Sequence, residues 1–291
     1  MSVYTYSIVI PHYNTPELLQ RMLDSVPQRA DIQIIVVDDC SNVNNLDKLK
    51  KISHSNLEIV YLSENHGAGY ARNIGLKKIT GEWLLVVDAD DYFANNAFSV
   101  FDQYVHTQYD YICYRIKGLD SNMREYEIVA DKNVREYIND RNKLLAFKYL
   151  NLVCWNKLVN VGFIQENDIH FEECQVNNDV LYNLIIGFKA KQFKVISDVL
   201  YYNVVNENSI TNQKRTLEKE FMFYIQAEKR NGFYEKIGLK YYPFYRHKIL
   251  YFPYMVKKRG LLDAIKFFKI IKKRAGEIKE ARKAYLYLFD N

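Results

Sequence analysis

The sequence predicts an α/β protein in which a mostly parallel sheet is flanked by helices and followed by a helical C-terminal extension. Short apolar segments rich in β-branched residues alternate with helical signals through the first hundred residues, which is typical of parallel sheets with crossover helices. Polar clusters follow three of these segments, where open α/β sheets bind ligands. From Leu217 onward the pattern becomes helical.

Length and composition set the first limits. The chain has 291 residues, of which 48% are hydrophobic and 26% charged, enough for one large domain or two smaller ones with a buried core. No apolar run reaches the length of a membrane-spanning helix and no leader precedes the first strand, so we expect a cytoplasmic protein. The four cysteines lie far apart without a C-x-x-C pair, which argues against a zinc site or a disulfide framework.

The first half is predicted from local signals taken in order. Residues 6–10 are mostly apolar or β-branched and are predicted to form the first strand. A helix is predicted to begin near Thr15, because Thr15 can cap it, Pro16 suits its first position and Glu17 suits its first turn. The same patterns predict strands at residues 34–37, 57–62 and 83–87 and a helix at about 68–79. Beyond residue 100 they predict strands at 109–117 and 126–129, a helix at 133–150 and an extended segment at 153–158.

The predicted strand at residues 83–87 ends in carboxylates. Asp88, Ala89 and Asp90 form a D-x-D sequence, and Asp91 follows. Carboxylates at the end of a buried strand suit a hard divalent cation that takes its other ligands from water and substrate phosphates. An acidic turn without a metal is the alternative interpretation.

The common phosphate-binding loops do not occur in this chain. The first strand is not followed by G-x-G-x-x-G, and no G-x-x-x-x-G-K-[ST] is present, which argues against a dinucleotide-binding or P-loop protein. The phosphates of a bound nucleotide would therefore be neutralised mainly by a metal and basic side chains.

Four segments resemble the ordered signatures of family 2 glycosyltransferases with the GT-A fold. They are SIVIPHYN at residues 7–14, VVDDCS at 36–41, GAGYARNIG at 67–75 and DADD at 88–91. The resemblance covers roughly residues 5–215. It implies a nucleotide-sugar donor, a Mn²⁺ or Mg²⁺ ion, and inversion at the anomeric carbon of the transferred sugar.

The resemblance also implies roles for individual residues. Asp39 would accept the imide hydrogen of uracil, which favours UDP because an aspartate cannot donate to the corresponding position of cytosine. Arg72 or Lys157 would help the metal to neutralise the leaving diphosphate, although Arg72 can also be interpreted as a helix residue in a surface ion pair. The implied nucleotide-sugar residues are Pro11, Tyr13, Asp38, Asp39, Arg72, Asp88, Ala89 and Lys157, and the implied metal ligand is Asp90.

The catalytic base is implied by a later segment. Similar enzymes carry a Glu-Asp pair at the start of a helix, where the aspartate is the base, and this chain has Asn178 and Asp179 instead. Asp179 is therefore the expected base, and the role of the missing glutamate stays open. Capping of the following helix is the alternative role for Asp179. We favour catalysis because residues 155–157, 201–202 and 208–211 also match the family's downstream pattern.

The predicted domains are a glycosyltransferase domain at residues 1–215, with a nucleotide-sugar half (1–100) and an acceptor half (101–215), and a basic, aromatic-rich helical region at 216–291. Residues 257–283 hold eleven Lys and Arg against three Asp and Glu. A basic, aromatic-rich segment can also bind nucleic acid, but no RNA-binding motif is present, so we expect no nucleic-acid partner.

A helix within residues 260–274 is predicted to be amphipathic. One arc contains Phe267, Phe268 and Ile271, and another contains Lys266, Lys269 and Lys273. Such a helix can pack on the catalytic domain or lie on an anionic bilayer beside a lipid-linked acceptor. We favour the bilayer, with the three apolar side chains inserted.

The sequence thus predicts an inverting, metal-dependent glycosyltransferase. It would move a sugar from a nucleotide sugar, with UDP favoured, to a hydroxyl of a saccharide or lipid-linked saccharide in cell-surface polysaccharide synthesis, peripherally at the inner face of the membrane. A sugar-phosphate nucleotidyltransferase is one alternative, although it would carry a glycine-rich basic loop after the first strand. A catalytically inactive sugar-binding or scaffold subunit is the other, and Asn178 is its one indication.

Overall fold

The computed structural model describes residues 4–205, 215–239 and 248–289, with the backbone alone at 248–250. The predicted family match at residues 208–211 lies outside these residues. The chain divides into two compact units, residues 1–209 and 210–291. We call them the catalytic unit and the helical unit.

The strands described in the catalytic unit belong to one sheet. They are β1 (Tyr4–His12), β2 (Ile32–Asp38), β3 (Leu57–Tyr61), β4 (Gly81–Val86), β5 (Tyr92–Phe93), β6 (Tyr111–Leu119), β7 (Glu125–Tyr126), β8 (Lys157–Asn160) and β9 (Phe193–Val204). Its helices are α1 (Pro16–Asp24), α2 (Val43–Leu49), α3 (Ala68–Leu76), α4 (Ala97–Phe101), α5 (Val129–Asn139), α6 (Leu144–Leu150), α7 (Val161–Glu166) and α8 (Val180–Lys189).

The sheet is mixed. Its strand order is β3-β2-β1-β4-β8-β6-β9-β5, with β7 paired to β6. The first four strands are parallel, whereas β8 lies antiparallel between β4 and β6. The predicted α/β class is confirmed, but the sheet is less uniformly parallel than the sequence indicates because β5, β7 and β8 all pair antiparallel.

Three elements after residue 100 differ from their predictions. The extended segment expected at 153–158 contains a turn at 155–156, and the strand β8 begins only at Lys157. The helix expected at 133–150 is two helices, because Asp140 is extended (φ −140°, ψ 107°) and its carboxylate accepts the N–H of Asn142 to begin a 3₁₀ turn. The strand expected at 126–129 ends at Tyr126, and Val129 begins α5 instead.

Three of the parallel strands, β1, β2 and β4, are buried on both faces. All residues of β1 from 6 to 10, of β2 from 34 to 38 and of β4 from 83 to 86 are buried, as expected for central strands covered by helices. Strand β1 pairs with β2 up to His12 and Asp38. On its other side β1 pairs with β4 up to Val9 and Val86. The carboxyl ends of these strands, and the loops after them, therefore lie along one edge of the sheet.

The helical unit contains α9 (Leu217–Lys236), α10 (Lys248–Arg259), α11 (Leu261–Lys273) and α12 (Ala275–Ala281), followed by a 3₁₀ turn at Leu286–Phe289. The predicted helical extension is confirmed. Its core consists of Phe221, Tyr224, Tyr251, Met255, Ala264, Phe267, Ile271 and Ile278.

The apolar arc predicted to enter a bilayer is largely used inside this unit. Phe267 and Ile271 are buried in the core, and Phe268 packs against it. The prediction that these side chains insert into lipid is therefore wrong for Phe267 and Ile271, because neighbouring helices cover them. Among the described residues, the helices are all too short or too polar to cross a membrane.

Candidate active site

Asp38 is a buried carboxylate that holds together the loops after β1 and β2. It accepts hydrogen bonds from His12 Nδ1 (2.7 Å), the backbone N–H of Ser41 (3.0 Å) and Ser41 Oγ (2.5 Å). The other ring nitrogen of His12 accepts the N–H of Thr15 (3.2 Å), so Nδ1 carries the proton. Burial alone would raise the pKa of Asp38, but the bonds from His12 and Ser41 lower it below its ordinary value. Asp38 thus stays ionised inside the protein.

Asp39 lies beside this anchor and is oriented by backbone groups. Its two carboxylate oxygens accept the N–H groups of His66 (2.8 Å) and Gly67 (2.7 Å). A carboxylate offers about four acceptor positions, so it can also accept a hydrogen bond from a ligand. Pro11 is half-buried near the end of β1, and Tyr13 just beyond it is 50% exposed. An accessible ring and an oriented carboxylate are suited to binding a nucleobase.

Arg72 on α3 links two segments that lie far apart in the chain. Its guanidinium donates to Asp88 Oδ1 (2.6 Å) and to Asn178 Oδ1 (2.5 Å), and lies 5.3 Å from the ring centroid of Phe171. Its side chain is only 7% exposed. Arg72 therefore does not form a surface ion pair, and it is a buried cation shared by the predicted D-x-D segment and the predicted base segment.

Asn178 was predicted only as a departure from the family's glutamate, and its contact with Arg72 was missed. Glycine is required opposite it, since a Cβ on Gly69 would lie 2.0 Å from the backbone oxygen of Glu172 and 2.9 Å from Asn178 Cβ. The segment before α8 therefore packs directly on the backbone of α3. No sequence signal joins residues 69 and 178, because the contact is created by the fold.

Asp179 precedes α8 and is half-buried. Its side chain makes no capping hydrogen bond, so the structure does not support the capping alternative. Burial raises the pKa of Asp179 to about 6, although the nearby Arg72 lowers it in part. A carboxylate with a pKa near neutrality suits general-base catalysis, because it is ionised at neutral pH and basic enough to take a proton.

The D-x-D loop is anchored by Asp91 rather than by the D-x-D residues. Asp91 is fully buried and accepts from Tyr201 Oη (2.8 Å) and from the backbone N–H of Val204 (2.8 Å). The hydroxyl of Tyr201 in turn accepts the N–H of Asp88 (3.1 Å). Burial, followed by the charges of Asp88 and Asp90, raises the pKa of Asp91 well above its ordinary value. Sequence reasoning missed this anchor, although residues 201–202 were noted.

Asp88 and Asp90 are the carboxylates of the D-x-D sequence that could hold a metal, and Asp88 Oδ1 already accepts a hydrogen bond from Arg72. Ala89 between them is buried, Asp90 is half-buried, and the backbone carbonyl of Asp90 accepts a hydrogen bond from Arg21. Within residues 4–205, 215–239 and 248–289, no three His, Cys, Asp or Glu side chains are arranged to hold a metal by themselves. Hard oxygen donors in this number fit Mg²⁺ or Mn²⁺ that completes its shell with diphosphate and water.

Lys157 is buried and holds the loop before β8. Its ammonium donates to the backbone oxygens of Asn151 (3.1 Å) and Val153 (2.7 Å) and to Asn156 Oδ1 (2.9 Å). Burial lowers its pKa to about 8. These bonds use all three donors of the ammonium, so the contacts of Lys157 in the structure are with the loop. Sequence reasoning assigned it to the nucleotide sugar and missed this structural role.

Trp155 connects that loop to the acidic one. Its ring stacks on Tyr201 at 5.5 Å, and its backbone oxygen accepts the hydroxyl of Tyr114 (2.9 Å). Because Tyr201 bonds both Asp88 and Asp91, the loop held by Lys157 supports the residue that positions the acidic loop.

The segment that contains most of these site residues matches a family of transferases. Residues 7–165, more than half of the chain, match the family Glycosyl transferase family 2. The chain belongs to that family, as the sequence resemblance implied.

Two curated relatives are particularly similar. Poly(ribitol-phosphate) beta-N-acetylglucosaminyltransferase TarS of Staphylococcus aureus is 26% identical over 205 residues, which cover 68% of this chain and 35% of TarS. Poly(ribitol-phosphate) beta-glucosyltransferase of Bacillus spizizenii is 29% identical over 240 residues, which cover 79% of this chain and 36% of that protein. The chain thus spans about a third of the length of these relatives.

Solved structures show the same fold. The crystal structure of S. aureus TarS 1–349 in complex with UDP-GlcNAc has a TM-score of 0.63 at 24% identity, covering 78% of this chain and 66% of that one. A mannosyltransferase of Pyrobaculum calidifontis in complex with GDP-Man and Mn²⁺ has a TM-score of 0.54 at 15% identity, covering 93% and 75%. The predicted GT-A type of α/β fold is confirmed by the TarS likeness.

Proposed function

We propose that this chain is an inverting glycosyltransferase that moves a sugar from a UDP-sugar to a hydroxyl of a saccharide or lipid-linked saccharide in cell-surface polysaccharide synthesis. The observation that carries this proposal is the buried contact of Arg72 with both Asp88 and Asn178. It brings the acidic strand end next to Asp179, whose raised pKa suits a general base.

The proposed donor site is the edge formed by the ends of β1 and β2. Asp39 is held by the backbone N–H groups of His66 and Gly67, so its free acceptor capacity can bind the imide N–H of uracil. Tyr13 supplies an exposed ring for stacking on the base. UDP is further supported by the TarS structure, whose ligand is UDP-GlcNAc.

In the proposed reaction Asp179 takes the proton of the acceptor hydroxyl while that oxygen attacks the anomeric carbon. The attack occurs on the face opposite the diphosphate, so the configuration inverts and no covalent intermediate is needed. The C–O bond to the diphosphate breaks as the new bond forms, and negative charge grows on the leaving group. Arg72, a permanent cation with two fixed partners, is placed to stabilise charge in this region.

We propose that Asp90, with Asp88 near it, holds a Mn²⁺ or Mg²⁺ ion that arrives with the donor. The ion would supply Lewis-acid neutralisation of the diphosphate. Two carboxylates fit this role because Mg²⁺-like ions keep several water or phosphate ligands. The Mn²⁺ in the neighbouring mannosyltransferase structure supports the same class of ion.

A screen of nucleotide sugars tests the function as a whole. Donors that bind the native state raise the unfolding temperature by mass action, so a UDP-sugar with Mn²⁺ should give the largest shift. The matching donor should then be turned over with release of UDP. Release of pyrophosphate from a nucleoside triphosphate in the presence of a sugar phosphate would support a nucleotidyltransferase instead. Donor binding without turnover of any acceptor would support an inactive sugar-binding subunit.

A further inference from the structure

The corner between α10 and α11 exposes apolar side chains outside the helical core, although the ring of Tyr254 contacts the core residue Tyr251. We call this set the α10–α11 corner: Tyr254 (42% exposed), Leu261 (56%), Leu262 (75%) and Ile265 (40%). They lie between residues 254 and 265, on both sides of Gly260. The φ of +89° at Gly260 allows the chain to change direction sharply between the two helices. Apolar side chains gathered at one exposed corner often mark an interaction surface.

Helix α11 is apolar on two sides, and the core explains only one of them. Ala264, Phe267 and Ile271 are buried against α9 and α10. Leu262 and Ile265 face outward from the same helix. A helix that only packs in a small domain needs one apolar face, so the outward side calls for a partner of its own.

Cations surround the corner. Residues 257–273 contain seven Lys and Arg against one Asp. Lys257, Lys266 and Lys269 are exposed, whereas Lys258 pairs with the buried Glu220 (2.8 Å). The acid Asp263 lies 4.0 Å from Lys266 and 3.4 Å from Arg259. Even with these pairs the surface around the apolar corner is strongly positive.

We propose that the α10–α11 corner is a docking surface for an anionic lipid bilayer. Leu261, Leu262 and Ile265 would enter the boundary between headgroups and acyl chains, while the lysines contact anionic headgroups and bury their alkyl stems. A second copy of the chain is a poorer occupant, because two such corners would bring their positive charges together. This surface goes beyond the transfer reaction and does not depend on it.

The corner differs from the bilayer face that the sequence predicts. The predicted face centres on Phe267 and Ile271, which are buried. The new face lies at the start of α11, where Leu261 and Leu262 are exposed.

Vesicle binding by the full chain tests the proposal. Affinity is measured on phosphatidylcholine vesicles with and without phosphatidylglycerol, at low and at high salt. The apolar variant carries Leu261→Gln and Leu262→Gln, and its control carries Met123→Gln and Val129→Gln, which are similarly exposed (56% and 67%) in the catalytic unit. The charge variant carries Lys257→Gln, Lys266→Gln and Lys269→Gln, and its control changes the exposed Lys50, Lys51 and Lys191 to Gln.

We expect binding only to the anionic vesicles, and weaker binding as salt screens the charges. The charge variant should bind on the order of 100-fold more weakly, from roughly fivefold per lysine. The apolar variant should bind at least roughly tenfold more weakly than the unchanged chain. Both controls should bind like the unchanged chain, and all variants should release UDP from the donor at the same rate in the absence of vesicles.

Three results would overturn the proposal. The first is no binding of the unchanged chain to anionic vesicles. The second is equal loss of binding in a variant and its control. The third is self-association of the chain without vesicles that the apolar variant abolishes, which would make a second copy the occupant. Because UDP release is measured separately, failure at the membrane is distinguishable from failure of the proposed catalytic function.

Discussion

The carboxyl edge of the sheet and the helical unit hold their buried carboxylates differently. Away from that edge the catalytic unit also pairs a buried acid with cations, since Asp131 contacts Arg115 and Arg135. In the catalytic unit Asp39 is buried at a strand end and accepts hydrogen bonds from backbone N–H groups. In the helical unit the buried Glu220 and Glu228 lie on α9 and pair with the cations Lys258 and Arg282. Neutral donors hold an acid in place without cancelling its charge, whereas a cation cancels it.

The difference corresponds to what each unit can bind. At the carboxyl edge of the sheet Arg72 cancels charge on Asp88, whereas Asp39 keeps its negative charge because backbone N–H groups hold it. Such charge suits a divalent cation and a proton. In the helical unit the buried acids are matched internally, and the excess cations remain on the surface, which suits an anionic partner. The comparison predicts that acid-to-amide substitutions have opposite consequences in the two units.

Asp179→Asn should have the largest effect. The amide cannot take the acceptor proton, so turnover should fall by ~10²–10⁴-fold while donor binding is largely kept. The unfolding free energy should not fall, because the carboxylate makes no capping hydrogen bond and its raised pKa means that the fold disfavours its charged form. Turnover and chemical denaturation of the same preparation measure both quantities.

The matched control is Glu228→Gln in the helical unit. It removes the partner of Arg282, so we expect a loss of about 1–2 kcal/mol in unfolding free energy for this partly exposed pair. Turnover of the folded protein should be unchanged. Near-normal transfer by Asp179→Asn, or a comparable loss of transfer in Glu228→Gln, would contradict the difference drawn between the units.

Lys157→Met tests whether the buried ammonium of Lys157 stabilises the loop before β8. The methionine leaves two backbone oxygens and the Asn156 Oδ1 without their donor, and unsatisfied buried acceptors of this kind should cost about 3 kcal/mol in total. The control Lys191→Met removes an exposed lysine and should change stability by less than about 0.5 kcal/mol. Equal stability of the two variants would show that the lysine does not hold the loop.

The stability of the unchanged chain should also depend on pH through Lys157. Its pKa falls from 10.5 in an unfolded chain to about 8 in the fold, so the fold favours the neutral amine. This contribution is fully present above pH 10.5 and is lost as pH falls through about 8. The difference in unfolding free energy between the unchanged chain and Lys157→Met should vary across that range, and a difference independent of pH would contradict the assignment.

How far the sequence predicts the site depends on the separation of the partners. The clusters at residues 38–39 and 88–91 are predictable, because each follows a recognisable buried strand and parallel strand ends meet at one edge of a sheet. The bonds of Tyr201 to Asp91 and of Arg72 to Asn178 join residues about a hundred positions apart. Such contacts are set by the strand order, which local patterns do not specify.

The fold shows the same limit. Alternating apolar segments predict β1, β2 and β4 because their signal is local. The position of β8, antiparallel between β4 and β6, depends on contacts between distant strands. The periodicity of a short segment does not indicate which strands it pairs with. In α11 the pattern predicts an amphipathic helix but not which of two apolar faces the core covers, so Phe267 and Ile271 were assigned to lipid although they are buried.

Two glycines, one in each unit, differ in how closely they are packed and allow a further test with a smaller expected effect. A Cβ on Gly69 would meet the backbone oxygen of Glu172 at 2.0 Å, so Gly69→Ala should cost about 2 kcal/mol of stability and lower turnover by displacing Asn178. Gly276→Ala is the control, since a Cβ on this α12 residue meets nothing within 4 Å, and it should add about 0.5–1 kcal/mol because alanine is the better helix former. Similar effects of both substitutions would contradict the close packing of α3 against residues 172–178.

The smallest expected effect concerns the residue before the base. In the unchanged chain turnover should rise with pH as Asp179 loses its proton near its pKa of about 6. Asn178→Glu places a second carboxylate beside Asp179, and like charge disfavours ionisation, so the pKa of Asp179 should rise further. Arg72, which already donates to residue 178, cancels part of that charge and keeps the increase small.

We therefore expect the acidic limb of the pH–rate profile of Asn178→Glu to move upward by less than about one pH unit, with turnover at pH 8 nearly unchanged. Asn178→Gln is the matched control, because it lengthens the side chain equally without adding charge, and it should leave the limb in place. A downward shift in the glutamate variant would mean that a new ion pair with Arg72 reorganises the site instead of adding charge beside Asp179. Equal shifts in the two variants would assign the effect to side-chain length, and the neutral residue at position 178 would then have no influence on the ionisation of the base.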